Sequence, residues 1–273
     1  MNRLSVEERA KVVNCLIEGC SLRSTVRLTG VAKKTVSRIL VEVGEACAAY
    51  HDKIMRNLPC KTIQVDEIWS FTYCKAANTP EHLRGKEGIG DTWTWVAIDA
   101  ESKLIPSFHV GLRDTDSAYQ FITDLKSRLA NRVQLTSDGH RPYLQVVKEV
   151  FGEDVDYSML VKLYGRGTSE IERRYSPLVC VGARRKKVIG NPNPILVSTS
   201  YVERQNLTLR MTNRRFTRLT NAFSKKIENH KHMMAIYTMN YNFCRIHQTL
   251  RCTPAMEAGI AKHIWSLEEI AVL

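Results

Sequence analysis

Residues 61–72 read KTIQVDEIWSFT. β-Branched and aromatic side chains fill the run and predict a β-strand. One aspartate, Asp66, sits inside it, where strands disfavour that residue. A carboxylate in mid-strand either faces water or has a charged partner, so the stretch raises a question of chemistry as well as of fold.

The segments downstream alternate. A loop rich in Lys, Glu and Gly (74–90) leads to DTWTWVAIDAESKLIPSFHVG (91–111), which reads as two strands joined by a turn near 101–103. DSAYQFITDLKSRLA (116–130) has helical periodicity and offers Tyr119, Phe121, Ile122, Leu125 and Leu129 to a core. NRVQLTSDG (131–139) is a short strand ending in a turn, HRPYLQVVKEVFG (140–152) a helix, and VDYSMLVKLYG (155–165) a fifth strand. With a later long helix, this order predicts a mixed α/β fold, a five-stranded sheet flanked by helices, over residues 61–253. A helical tail follows at 254–273.

Upstream, residues 1–50 form a small all-α unit. SVEERAKVVNCLIEG has Ser5 and Glu8 in capping-box spacing, and Val12, Val13, Leu16 and Ile17 recur on one face. A second helix from Ser21 stops at Gly30. The third, VAKKTVSRILVEVG, turns Val36, Ile39, Leu40 and Val43 inward. Two helices about a glycine-containing turn predict a helix-turn-helix whose Lys33, Lys34, Thr35, Ser37 and Arg38 meet phosphates and base edges. Residues 51–60 read as a linker.

The charge balance bears on the partner. The 273-residue chain carries a net charge of +12, and the tract 166–231 holds fifteen Lys or Arg against four Asp or Glu. Such a clustered excess points to nucleic acid. No run approaches the ~20 apolar residues of a membrane span. MNRLSVEERAKVV has charges within its apolar pattern and is no signal peptide. The expected location is therefore cytoplasmic, and the eight cysteines, none in a Cys-x-x-Cys pair, are expected to be reduced.

Against this basic background three acids stand out. Asp138, in TSDG, lies at a strand's C-terminal end, where open α/β sheets gather their sites and where turn formers and helix caps are also common. Glu203, in STSYVERQNLTLR (198–210), precedes an arginine-rich helix. Two carboxylates from adjacent strands and one from a helix can hold two divalent cations through oxygen ligands. On that helix Glu203, Asn206, Arg210, Arg214 and Thr217 fall at i, i+3, i+7, i+11 and i+14, hence on one face, while Val202, Leu209 and Phe216 line another.

Four stretches together resemble a DDE transposase of the insertion-sequence-one family. They are VDEIWSF with Asp66, TSDGHRPY with Asp138, ERQNLTLRMTNRRFTRLTNAFSK with Glu203, and YNFCRIHQTLRCTPAMEA. The last is similar to the Tyr-Asn…His-x-x-Leu…Thr-Pro ending of many integrase-like transposases. The resemblance runs from about Lys61 to about Ala258. It implies an RNase H-like, retroviral-integrase-like catalytic domain with Asp66, Asp138 and Glu203 as catalytic and metal-binding residues. It also implies two Mg2+ ions, replaceable by Mn2+, with Asp66 bridging them. The implied partner is double-stranded DNA, both the element's terminal inverted repeats and the target, met by a homodimer or larger complex. Arg210 resembles the cation that holds the terminal nucleotides, with Asn206, Arg214, Arg215 and Arg218 beside it. One departure is that Cys15 and Cys20 are too few for the N-terminal zinc-binding segment of some relatives.

The remaining polar residues have plainer expectations. Glu67 points to the strand face opposite Asp66, as a structural or salt-bridge residue. ARRKKV (183–188), with Arg184, Arg185, Lys186 and Lys187, reads as a phosphate-contacting hairpin or loop. Asp99 is a second strand-end acid, His140 suits a helix start, and His247 a structural hydrogen bond. His230, Met234, Tyr237, Tyr241 and Cys244 form a stripe for the core or a dimer seam. The expected activity is cleavage of 3′ ends and strand transfer. The alternatives are a catalytically inactive, transposase-derived DNA-binding regulator, or the integrase or nuclease of another mobile element.

Overall fold

The computed structural model describes residues 4–165, 179–217 and 221–273. Three helices come first: α1 (Val6–Ile17), α2 (Leu22–Thr29) and α3 (Lys33–Ile54). The capping box forms, with Ser5 N–H donating to Glu8 Oε2 at 2.8 Å and Glu8 N–H to Ser5 Oγ at 3.2 Å. Gly30 closes α2 at φ 71°, a left-handed cap that favours glycine.

The sheet follows as β1 (Thr62–Thr72), β2 (Gly90–Asp99), β3 (Phe108–Gly111), β4 (Gln134–Ser137), β5 (Asp156–Gly165) and β6 (Val179–Ile189). Helices α4 (Thr115–Arg128) and α5 (Pro142–Phe151) bracket β4 in sequence. After β6 come α6 (Ser200–Thr212), α7 (Ile227–Met239), a short α8 (Pro254–Glu257) and α9 (Leu267–Val272). The strand order is β3-β2-β1-β4-β5-β6. β1 runs antiparallel to β2 and parallel to β4, and β4 runs parallel to β5. This is a mixed α/β sheet with flanking helices.

Four sequence expectations need correction. The sheet has six strands rather than five, because the ARRKKV segment extends as β6, antiparallel to β5. It is an edge strand whose Arg184, Arg185, Lys186 and Lys187 are all exposed. Exposed from Ala183 to Lys187 and packed only at its end through Val188 and Ile189, it lacks apolar alternation, and charged edges of this kind also discourage further pairing. Second, residues 51–54 are not linker but the last turn of α3. Third, α6 ends at Thr212: the Asn213 side chain accepts the Arg215 N–H, and Arg214–Phe216 forms a separate 3₁₀ turn. Arg214 and Thr217 therefore leave the helical face of Glu203. Fourth, Tyr119 is 49% exposed rather than part of the core.

Strand alternation divides the core. Ile63 and Val65 of β1 join the larger cluster with α4 and α5, and this cluster continues through α1, α3, α7 and α9. Ile68, on the other face, joins Leu209, Phe216, Met234, Tyr237 and Tyr241. The stripe from His230 to Tyr241 is thus core, with Cys244 at its half-buried end. At Gly44, α3 crosses α7 so closely that a Cβ would lie 2.8 Å from His232 Cα. The N-terminal helices and the sheet share one apolar core. All eight cysteines are free thiols, and no helix among the described residues is long and apolar enough to cross a membrane.

Two histidines are sealed in this interior. Burial, then Arg128, pushes the His51 pKa down to about 4, and burial, then Arg215, pushes His230 down to about 3. The unfolded chain takes up these protons near pH 6.5, so their contribution is whole above that pH and is lost as pH falls toward the folded values. The stability cost of His230→Gln is therefore expected to shrink by about 2 kcal/mol between pH 7 and pH 5. Urea titration of both proteins at the two pH values measures it. An unchanged difference would mean that His230 is charged in the fold.

Candidate metal centre

Asp66 occupies the middle of β1, opposite Val96 of β2. β4 accompanies β1 only as far as the Val65–Ser137 pair, after which the chain turns directly into Asp138. The turn is fixed by the His140 N–H, which donates to Asp138 Oδ1 at 2.8 Å. Asp138 thus emerges past the strand end, beside Asp66. Oxygen atoms of Asp66, Glu67 and Asp138 all lie within 4.8 Å of one another.

The sequence gives Glu67 a structural or salt-bridge role. It does form a salt bridge, with Arg113 Nη2 at 3.2 Å and Nε at 3.3 Å. Arg113 also sits 4.6 Å from the centre of the Trp93 ring. Yet Glu67 belongs to the acidic cluster too, because Asp138 lies beyond the strand end, within reach of both strand faces. Its side chain is wholly buried, and its Oε1 makes no hydrogen bond. The available signal was the adjacency of two acids in VDEIW, discounted because neighbouring strand residues point to opposite faces.

The electrostatics follow from this crowding. Burial, then Asp138, pushes the Asp66 pKa up to about 6, with Glu203 adding to the shift. Burial, then Asp138 and Asp66, pushes Glu67 up to about 8. Asp66 and Glu67, desolvated and facing a neighbouring negative charge, resist ionising. The residues fit a hard divalent cation: the donors are all oxygen, they converge, and one is a buried orphan.

A pH test follows, with its sign fixed by the raised values. Protonated Glu67 favours the metal-free fold, and that contribution decays as pH rises from its unfolded value of 4.5 through about 8. A bound cation favours the ionised forms and releases protons on binding. Mg2+ is therefore expected to raise the melting temperature more at pH 8 than at pH 6. Equal shifts would exclude these carboxylates as ligands.

Glu203 lies in the first turn of α6. Gln64 Oε1 accepts the N–H groups of Tyr201 at 2.9 Å and Val202 at 3.2 Å, which fastens the start of that helix to β1. One turn after Glu203, Asn206 Nδ2 donates to Asp66 Oδ2 at 2.9 Å. The helix face thus turns toward Asp66. The Glu203 carboxylate itself stands apart from the three clustered acids, held by Lys162 Nζ and Thr199 Oγ1, each at 2.5 Å. Lys162 comes from β5, a partner that no sequence pattern announced.

No family model matches the chain, and no curated protein matches it. Among solved structures, it is similar to the crystal structure of the Mos1 strand transfer complex at 12% identity, over 86% of this chain and 78% of that one, with a TM-score of 0.26.

The structure distributes the other candidate residues over several surfaces. Lys33, Lys34 and Arg38 are exposed at the start of α3, with Thr35 and Ser37 half-buried between them. Arg184 to Lys187 line the sheet edge. Arg210 is half-buried on α6 and Arg214 is exposed just beyond it. Arg215 turns inward, its Nε donating to Ser224 Oγ at 2.8 Å, and burial lowers its pKa to about 10. Arg218 lies outside the described residues. Asn206 is buried, its amide occupied with Asp66.

The plainer expectations can be placed as well. Asp99 Oδ2 accepts the Ser102 N–H at 2.8 Å and Oγ–H at 2.7 Å, which makes it a turn former opposite Ile63, away from Asp66. The His140 ring packs on Trp95 and Tyr143. His247 N–H donates to Cys252 O at 2.9 Å, closing a turn.

Proposed function

We propose that this chain is a DNA transposase of the insertion-sequence-one type. In this reading it binds the ends of a mobile element, cleaves their 3′ ends in a divalent-metal-dependent reaction and joins them to target DNA. The observation that carries the reading is the convergence of Asp66 and Asp138 at the sheet centre beneath a helix that presents Glu203 and Asn206. Two Mg2+ or Mn2+ ions, when bound, supply charge stabilisation on the phosphate and lower the pKa of the attacking oxygen.

The chain's own groups do the rest. Asp66, Glu67 and Asp138 provide the oxygen cage, and Asn206 orients the Asp66 carboxylate through its 2.9 Å hydrogen bond. Arg113 and the Tyr143 side of the core hold Glu67 in place. Lys162 keeps Glu203 charge-balanced apart from the other acids, and on release from Lys162 Glu203 would join Asp66, Glu67 and Asp138 as a fourth carboxylate. Arg184 to Lys187, Arg210 and Arg214 take the DNA backbone.

The first helices act as a helix-turn-helix that reads the element ends, with Lys33, Lys34 and Arg38 on phosphates. Replacing those three by alanine should flatten the plot of log affinity against log salt by roughly two to three units. Fluorescence anisotropy over a salt series measures the slope. An unaltered slope would remove α3 from the DNA interface.

The test of function is cleavage of end-labelled fragments containing the DNA that flanks the gene, with Mg2+, Mn2+ or EDTA. Metal-dependent 3′-hydroxyl ends at short inverted repeats are the expected product. Tight binding of the same fragments without cleavage would assign the chain to the regulator class instead.

A further inference from the structure

β4 pairs with β1 only from Thr62 to Val65. Beyond Asp66 that edge of β1 carries, among the described residues, one bridge, from Thr72 to Ser224. A groove of about 1060 Å³ opens there, between the far half of β1 and, among the described residues, Arg215, Phe216, Thr217, Asn221 and Phe223. Its first lining residue on β1, Trp69, stands two positions beyond Glu67, and the groove follows the strand from there to Tyr73, Cys74 and Lys75.

Aromatic rings form its wall. Trp69 and Phe71 share the β1 face of Glu67, at alternate positions, with ring centres 5.8 Å apart. Phe223 lies 4.9 Å from Phe71. Tyr73, just past the end of the strand, adopts φ 67°, its N–H donating to Ser224 O at 2.8 Å, and is 45% exposed. Lys75 places its ammonium 5.9 Å from both the Trp69 and Phe71 rings.

We propose that this groove is a stacking track for unpaired nucleotides of the DNA strand entering the metal centre. The choice of occupant rests on the proposed function for the polymer's identity, and on the groove for its single-stranded form. Successive half-exposed rings with a cation above them suit bases and phosphates: every base has a π-face, and the backbone meets the ammonium. The two-residue step along β1 from Glu67 to Trp69 puts the stacked nucleotides within one strand repeat of the acidic cluster. A duplex, with its bases already stacked, gains nothing from such rings.

The test is binding in EDTA, with ten-residue oligothymidylate and a blunt duplex as probes. Oligothymidylate should quench tryptophan emission, and Trp69→Ala or Phe71→Ala should each weaken its binding by about tenfold while leaving duplex affinity unchanged. Lys75→Ala, an exposed change that spares the fold, should lower the salt slope for oligothymidylate by about 0.7. Unquenched emission, or wild-type oligothymidylate affinity in both ring variants, overturns the track. So does a change from dimer to monomer in sedimentation with oligothymidylate affinity intact, which assigns the groove to a second copy of the chain. Metal-dependent nicking is scored separately. An active nuclease indifferent to the ring substitutions refutes the track alone, and a stacking track in a chain that never cuts refutes the proposed function alone.

Discussion

Under the proposed function, Asp66→Asn or Asp138→Asn is expected to lower metal-dependent strand cleavage by about a thousandfold or more, while binding of end DNA persists. The magnitude follows from losing several kcal/mol of transition-state charge stabilisation, at about 1.4 kcal/mol per factor of ten. Both residues contribute oxygens to one cluster spanning no more than 4.8 Å, so they act as a unit. The double variant is accordingly no worse than either single one. Glu67→Gln behaves differently. It removes a charge but keeps the shape of a buried group, so it weakens Mg2+ affinity by about tenfold and leaves cleavage at saturating metal close to wild type. Single-turnover rates over a Mg2+ series separate the two effects. Near-wild-type cleavage by Asp66→Asn would remove that residue from the chemistry.

Trp95→Ala is expected to cost about 3–5 kcal/mol of folding stability. Trp95 is fully buried in β2, its ring 5.9 Å from Phe121 and 5.5 Å from Tyr143, and its Nε1–H donates to Leu112 O at 3.0 Å. Truncation opens a cavity beneath the acidic cluster and leaves the Leu112 carbonyl without its donor. Trp95→Phe fills most of that space and loses chiefly the hydrogen bond, at about 1 kcal/mol. Urea denaturation of the three proteins ranks them. A loss under about 1 kcal/mol for the alanine variant would contradict this packing.

The local devices were legible because the groups that make them are close in sequence. The Ser5–Glu8 capping box, the left-handed Gly30, the β1 pattern around Asp66 and the turn after TSDG each need only a few neighbouring residues. Adjacency of β1 and β4, and with it the meeting of Asp66 and Asp138, could be expected from the order of elements. The sixth strand could not: Arg184 to Lys187 carry no apolar alternation, since an exposed edge has no buried face to encode. Nor could the end of α6, where Asn213 draws its own backbone out of the helix and turns Arg215 inward.

What the sequence determined, then, was the elements with a buried apolar face, five of the six strands among them, and the presence of carboxylates at β1 and at the end of β4. Tertiary structure alone decided how those acids are partnered. Glu67 enters the cluster because Asp138 lies past a strand end, where the rule of alternating faces no longer separates neighbours. Glu203 is held back by Lys162, a residue 41 positions away that reaches it from β5. The close crossing of α3 and α7 at Gly44 joins the N-terminal helices to the sheet's core. Each of these depends on distances between elements, and side-chain periodicity records only which face of an element is apolar, not what the opposite face will meet.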